Sequence, residues 1–309
     1  MRPCLIISQI IESVMRLVLL FLLSICGALP TSASGAQIIT ESGNYSQGEY
    51  ILWSDIKVES GHGLVFEGPA TLDLNGHSIE TEAAGDDWDI GVAMFGENSL
   101  LFDSKGGGRI TGFRVGGKFS GDRTQAIGVE FSNNRYIGIW VEGRDVHILG
   151  GMVSETSGIS DEPYAFGVQV NGDNCIIENL VVKNIYVQEH YRGDADGEGV
   201  GINLASPSTG GRVKNNLIIN EKASIGGYGV FGGSGGDHEV RNSTIRNFWR
   251  GISVSGEKGS RVVNNRVVTS NSFAGGYGIS AGRGVIADNH VNGYASPLDG
   301  APQGSNRLD

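Results

Sequence analysis

The chain is poor in cysteine, proline and positive charge. Three cysteines in 309 residues exclude a disulfide-dense scaffold. No Cys-x-x-Cys pair or histidine cluster offers zinc its usual ligands. Seven prolines, and glycine without a three-residue period, exclude a collagen-like chain. Hydrophobic residues make up 39%, too many for a disordered polar chain. No apolar run has the length of a comfortable membrane helix. Lys and Arg number 23 against 34 Asp and Glu, a net charge of −11. That balance argues against nucleic acid, whose phosphates require a basic surface.

Glycine is what the chain has in excess: 50 residues, where ordinary usage is about 7%. With abundant aliphatic residues and asparagine, it points to many short strands joined by tight turns. The first 36 residues stand apart. An apolar run from Leu17 to Leu29 follows Arg16 and precedes Pro30-Thr-Ser-Ala-Ser-Gly-Ala36, the pattern of a secretory signal with a small-residue cleavage zone. Met15, just before Arg16, is a better start for such a signal than Met1. Its removal takes Lys+Arg from 23 to 21 and Asp+Glu from 34 to 33, so the net charge becomes −12. Cys175 is then the sole cysteine, and no disulfide forms within the chain. A secreted or periplasmic location is expected.

The remainder is repetitive. Ile139-Trp-Val141-Glu-Gly143-Arg-Asp-Val146-His-Ile148 aligns without a gap on Val168-Gln-Val170-Asn-Gly172-Asp-Asn-Cys175-Ile-Ile177. Each phrase is preceded by glycine, and the same start recurs at Gly201, Gly229, Gly251 and Gly278. A second apolar phrase follows about ten residues later, ending in Asn179, Asn215, Asn242, Asn264 or Asp288, and then a third strand through Val182, Ile218, Ile245, Val267 or Val291. Three short alternating strands per repeat describe a coil of a parallel β-helix. Alternation sends Val168, Val170, Cys175 and Ile177 inward and Gln169 and Ile176 outward. Asparagine tolerates left-handed backbone angles at corners, so Asn179, Asn215, Asn242 and Asn264 are expected to form one stacked ladder, and Asn184, Asn220 and Asn247 a second.

The phrase from Thr71 to Ile79 resembles the first full coil of right-handed parallel β-helix repeat proteins, the pectate-lyase-like superfamily. Gly229–Asn247 and Gly251–Val268 resemble its later coils. The resemblance covers roughly residues 40–295. It implies an all-β right-handed parallel β-helix, a solenoid of three parallel sheets. The expected organisation is a signal at 1–36, capping strands at 37–62, the β-helix at 63–295 and a tail at 296–309. The fold hosts many activities. The Asn-Thr-Asp of polygalacturonase-like hydrolases, the Asp-Pro-His-Glu of alginate epimerases and the Arg-x-Pro-x-x-Arg of pectate lyases are all absent.

Candidate site residues therefore come from the expected outer surface. Trp140, Gln169, Asn203 and Phe231 point outward on the first strand of successive coils, and by parity the glycines two positions earlier do so too. A bare glycine stripe beside aromatic and amide groups suits a sugar chain: rings stack on aromatics and hydroxyls pair with amides. The longest loop carries His190, Tyr191 and Arg192. β-Elimination of a uronate needs a base and a positive charge on the carboxylate. Tyr191 or His190 suits the first role and Arg192 the second. Asp194, Asp196 and Glu198 are spaced as part of a calcium loop, and Ca2+ would bridge an acidic protein to an acidic polymer. Arg250 occupies a row with Ile137, Phe166, Val200, Tyr228 and Tyr277 that alternation reads as inward. It either breaks that row as a functional residue or lies outside through a phase shift. Cys175 reads as an inert buried thiol.

A polysaccharide or oligosaccharide is the expected partner, and a polysaccharide lyase the first functional reading. A non-enzymatic glycan-binding or scaffold β-helix stays open, as do a glycoside hydrolase, an epimerase and a periplasmic maturation accessory protein.

Overall fold

The structure is a computed structural model that describes residues 35–82, 88–159, 161–187, 198–222, 227–254, 259–270, 275–299 and 304–309. Contacts separate residues 1–35 from a second unit, 36–309, and every strand among the described residues belongs to the second. Most of the expected signal segment lies outside the described residues.

Among the described residues all regular structure is β, in three sheets of eleven strands. The first sheet runs from Gln37–Ile39 to Val285–Ala287, the second from Ile56–Val58 to Arg307–Leu308, and the third from Gly43–Tyr45 to Ser296–Asp299. From Gly48 to Asp299 the chain visits the first, second and third sheet in turn, and each strand pairs in parallel with the equivalent strand of the next coil. This is the expected parallel solenoid. Residues 296–309, expected as a tail, supply the last strands of the second and third sheets.

Three apolar columns fill the interior. One runs through Ile139, Val168, Ile202, Val230, Ile252 and Ile279. Another is Ile148, Ile177, Val213, Val240, Val262 and Ile286. The third is Val153, Val182, Ile218, Ile245, Val267 and Val291. All are at most 2% exposed. Full burial of each such side chain is worth about 1.5–3 kcal/mol. One coil alone would leave its rung uncovered on both sides, so adjacent coils stabilise each other.

The asparagine corners differ from expectation by one residue. Asn179, Asn215, Asn242, Asn264 and Asp288 do take left-handed angles, with φ between 54° and 57°. Asn264 Nδ2 donates to Asn242 Oδ1 at 2.8 Å on the exposed side, but the buried ladder comes from the residue after each of the last four. Asn216, Ser243, Asn265 and Asn289 are 1–3% exposed. Asn265 Oδ1 accepts the Ser243 N–H at 3.0 Å, and its Nδ2 donates to the Val240 carbonyl at 2.9 Å. Asn289 does the same for Asn265 N–H and the Val262 carbonyl. Each of these four corners thus uses two adjacent residues, one for the backbone bend and one for the polar groups that the bend buries.

Candidate functional site

The outer face of the third sheet carries two side-chain rows. One is the expected Trp140, Gln169, Asn203, Phe231, Ser253 and Ser280, which are partners in register. The other overturns the sequence reading. Ile137, Phe166, Val200, Tyr228, Arg250 and Tyr277 are also partners in register, but they do not point into the core. Ile137, Phe166 and Val200 form a separate cluster with Ile90 and Val115, against which Tyr136, Trp140, Tyr228 and Phe231 pack. Arg250 therefore needs no phase shift to be outside, and it breaks no inward row.

The glycines are the cause. Strict alternation would place Gly138 outside with Trp140, yet the pairing register passes from Ile137 to Ile139 without it. A Cβ on Gly138 would collide with Val153 of the core and lie 2.7 Å from the Gly167 carbonyl oxygen. One on Gly167 would lie 2.5 Å from the Gly201 oxygen and 2.8 Å from Val182 Cγ1. Gly201, Gly229, Gly251 and Gly278 repeat this geometry. The alternation breaks at each glycine, and the glycine row faces inward against the second sheet. The expected bare outer stripe does not exist; an apolar and aromatic row stands in its place.

On this face Tyr164, Phe166, Glu198, Val200, Asn203, Tyr228 and Phe231 line an open concavity of about 240 Å³. That is below the ~300–1,000 Å³ of pockets that engulf a drug-sized ligand, and suits one segment of a longer ligand. Tyr228 and Phe231 meet edge to face at 4.9 Å, and Tyr164 lies 5.8 Å from Phe166. Asn203 Nδ2 donates to Gln169 Oε1 at 2.6 Å, and Gln169 Nε2 to Asn171 Oδ1 at 3.0 Å. Asn203 and Phe231 thus line the concavity, whereas Gln169 supports Asn203 from beside it.

Trp140 is spent on packing. Lys118 Nζ stands 4.2 Å from its ring, Trp88 5.9 Å. Lys118 is paired with Glu142 at 3.1 Å. Beyond it lies a cluster that the sequence reading missed. The Asp89 carboxylate, 5% exposed, accepts from the Arg135 guanidinium at 2.6 Å and the Arg114 N–H at 2.7 Å. Arg114 lies over Trp88 at 4.2 Å and pairs with Asp161 at 3.3 Å. Burial, reinforced by Glu162, pushes the Tyr136 phenol up to about 12, so this hydroxyl is a donor at neutral pH and no base.

Arg250 lies 3.9 Å over Trp249, 5.0 Å from the Tyr228 ring and 5.3 Å from Tyr277. It donates to the Tyr228 hydroxyl, and its buried Nε has no hydrogen-bond partner.

His190, Tyr191, Arg192, Asp194 and Asp196 lie outside the described residues. Glu198, the described member of the expected calcium set, lines the concavity. Among the described residues no three His, Cys, Asp or Glu side chains converge on a common point. Cys175 is fully buried, and burial pushes its thiol up to about 11, which keeps it protonated and unreactive. His147, on the first sheet in register with Ile176, Arg212, Glu239 and Arg261, is remote from this face.

Phe166, Val200 and Tyr228 were missed because their row read as core, and Tyr164, two residues before Phe166, was not singled out at all. The signal against that reading was present: a row holding one arginine and two tyrosines is an unusual lining for a solenoid interior.

No protein-family model matches the chain, and neither does any curated protein sequence. Among solved structures, the Dettilon tailspike protein gp208 superposes with a TM-score of 0.58 at 14% identity, over 88% of this chain and 60% of that one. This chain thus spans about 60% of the tailspike's length. The pectate lyase Pel9A aligns with a TM-score of 0.47 at 14% identity, over 87% of this chain and 68% of that one. No helix among the described residues is long and apolar enough to cross a membrane. With its three parallel sheets and its likeness to the tailspike, the chain is a parallel β-helix repeat protein.

Proposed function

We propose that this chain is a carbohydrate-active protein that holds a polysaccharide along the outer face of its third sheet. The observation that carries the reading is the concavity, lined by four aromatic rings with Asn203 and Glu198 among them and continued by the Arg250 cluster on the next strand. Coils repeat about every 4.8 Å, close to the length of one sugar unit, so successive sugars meet successive coils. Rings supply stacking surface, and the amide supplies a partner for hydroxyls. The apolar run at Leu17–Leu29 supports export, to the periplasm or outside the cell.

For the chemistry, we propose β-elimination at an acidic sugar. A base removes the proton beside the carboxylate, the bond to the departing glycosidic oxygen breaks, and that oxygen leaves with the electron pair and takes up a proton. Arg250 suits stabilisation of charge building on the carboxylate. The base is proposed from His190 or Tyr191, with Arg192 as a second cation; Asp194, Asp196 and Glu198 would hold a Ca2+, which would offset the charge of the acid.

Incubation with uronate-containing polymers should produce the ultraviolet absorbance of an unsaturated product. Arg250→Ala should lower turnover by about tenfold or more, with the melting temperature kept. Binding without any unsaturated product would make the chain a non-enzymatic glycan binder. Wild-type turnover in Arg250→Ala would remove Arg250 from the mechanism.

A further inference from the structure

Rings and cations are distributed unequally over the outer face of the third sheet. Rings accompany it from Trp88 and Tyr136 through Phe166 and Tyr228 to Tyr277. Among the described residues, its eleven strands bring two lysine or arginine side chains, Lys118 and Arg250. The strands of the first sheet, by contrast, carry Arg212, Lys214, Arg241 and Arg261. The scarcity of positive charge therefore belongs to this face and not to the chain.

Most of the cations near the face are already neutralised. Lys118 Nζ lies 3.1 Å from Glu142, and its side chain is 17% exposed. Arg114 and Arg135, just before their strands, are held by Asp161 and Asp89. Arg250 has no such acid: among the described residues no carboxylate lies within ion-pairing distance of it, and its buried Nε has no acceptor. The guanidinium is half-buried and flanked by Trp249, Tyr228 and Tyr277. Rings attract a cation through their faces without cancelling its charge, and they leave the edge of the guanidinium for a partner. Arg250 donates to the Tyr228 hydroxyl oxygen, so the phenol proton is left to donate away from the guanidinium. An arginine edge and a phenol hydroxyl side by side offer donors to both oxygens of one carboxylate.

We infer that this face reads one acid group per bound chain, at Arg250 and Tyr228, and holds the rest of the chain by uncharged contacts. Tyr228 also lines the concavity and is the register partner of Arg250. The acid group therefore lies about one coil, about 4.8 Å, beyond Tyr228 toward the carboxyl terminus. On the described strands, further acids along the chain would meet rings or a lysine already paired, and would add no ion pair. The inference rests on the glycan reading above and adds to it the number and the place of the charges recognised.

The test is binding of the whole chain to an oligogalacturonate and an oligomannuronate, each also with its carboxyl groups reduced to alcohols, over a range of salt without added divalent cation. Affinity falls by about one power of salt concentration for each charge paired. One pair predicts a loss of roughly fourfold between about 50 and about 200 mM salt, and four pairs a loss of more than roughly a hundredfold. Wild type should show the smaller loss and should prefer a carboxylate form about tenfold at the lower salt, equivalent to about 1.4 kcal/mol. Arg250→Gln should bind both forms alike and lose the salt dependence, whereas Lys118→Gln should keep the preference. Melting curves of both variants establish that they are folded, and the wild-type salt series counts the charges without any variant. A hundredfold loss with salt, equal wild-type affinity for both forms, or a preference that survives in folded Arg250→Gln or vanishes equally in folded Lys118→Gln overturns the inference and leaves glycan binding standing. Failure to bind any of the four oligomers refutes the glycan reading itself, and this inference with it.

Discussion

Replacing Gly167 by alanine tests the inward orientation of the glycine row directly. The new Cβ would lie 2.5 Å from the Gly201 carbonyl oxygen, 2.8 Å from Val182 Cγ1 and 3.1 Å from Ile185 Cγ1. Comfortable contacts between carbon atoms begin near ~3.5 Å. The valine and isoleucine methyls can shift somewhat, but the Gly201 oxygen is backbone, between two strands locked in register. Relief therefore requires the coils to separate. Overpacking of this kind costs about 1–3 kcal/mol, and a clash with backbone belongs at the upper end. Alanine also restricts the unfolded chain, which returns about 0.4–1 kcal/mol. The net loss is about 2 kcal/mol. For a unit of this size each kcal/mol moves the midpoint by about 2–4 °C, so thermal unfolding followed by circular dichroism should fall by about 4–8 °C. Gly259, with nothing within 4 Å of an added Cβ, is the control, and alanine there should change stability by less than about 0.5 kcal/mol. If Gly167→Ala melts with wild type but loses glycan binding, the glycines face outward and the orientation described here is wrong.

Two other substitutions probe the interior. Asn265→Ala removes the acceptor for Ser243 N–H and the donor to the Val240 carbonyl, and orphaning both should cost about 2–4 kcal/mol; the exposed neighbour Asn264, at φ 55°, should cost only about 1–2 kcal/mol as alanine. Equal losses in urea unfolding would return the ladder to the first asparagine. His238 is 1% exposed with neither ring nitrogen partnered, and burial lowers its pKa against the opposing pull of Asp237 and Asp173. The unfolded chain, with a histidine near pH 6.5, then takes up the proton first. That part of the stability is complete above about pH 6.5 and is lost as pH falls below it. His238→Leu should flatten the drop in melting temperature between neutral pH and pH about 5; an unchanged slope would place the acid sensitivity elsewhere.

The coil was legible because its apolar residues recur at every second position on strands of nearly fixed length. Val168, Val170, Cys175 and Ile177 are all fully buried, as alternation requires. The same rule failed at Gly138 and its equivalents. A residue without a side chain carries no hydrophobic mark to show which way it points, so parity was extended across a break that composition cannot display. The error then propagated: it turned Phe166, Val200 and Tyr228 inward and concealed three of the seven residues that line the concavity, while Asn203 and Phe231, beyond the break, were placed correctly. The asparagine ladder shifted by one residue for a related reason. Asn215-Asn216, Asn264-Asn265 and Asp288-Asn289 are pairs of similar polar residues, and only the backbone angle tells which member bends and which caps. Glu198 was recognised as chemically notable from its acidic neighbours, but its place beside aromatic rings depends on strands far apart in sequence.

The corner amides also give the solenoid a direction. Asn216 serves Leu180 N–H, Ser243 serves Asn216, Asn265 serves Ser243, Asn289 serves Asn265, and Asn306 serves Asn289. Every acceptor reaches back toward the amino terminus. A chain emerging amino end first therefore leaves the corner N–H of its newest coil unanswered until the next coil arrives. Each coil is a template that its successor completes. Asn306, whose Nδ2 also donates to the Ile286 carbonyl at 3.1 Å, performs this service for the last described coil. A chain truncated before it would end on an open polar corner, able to accept whatever strand came next.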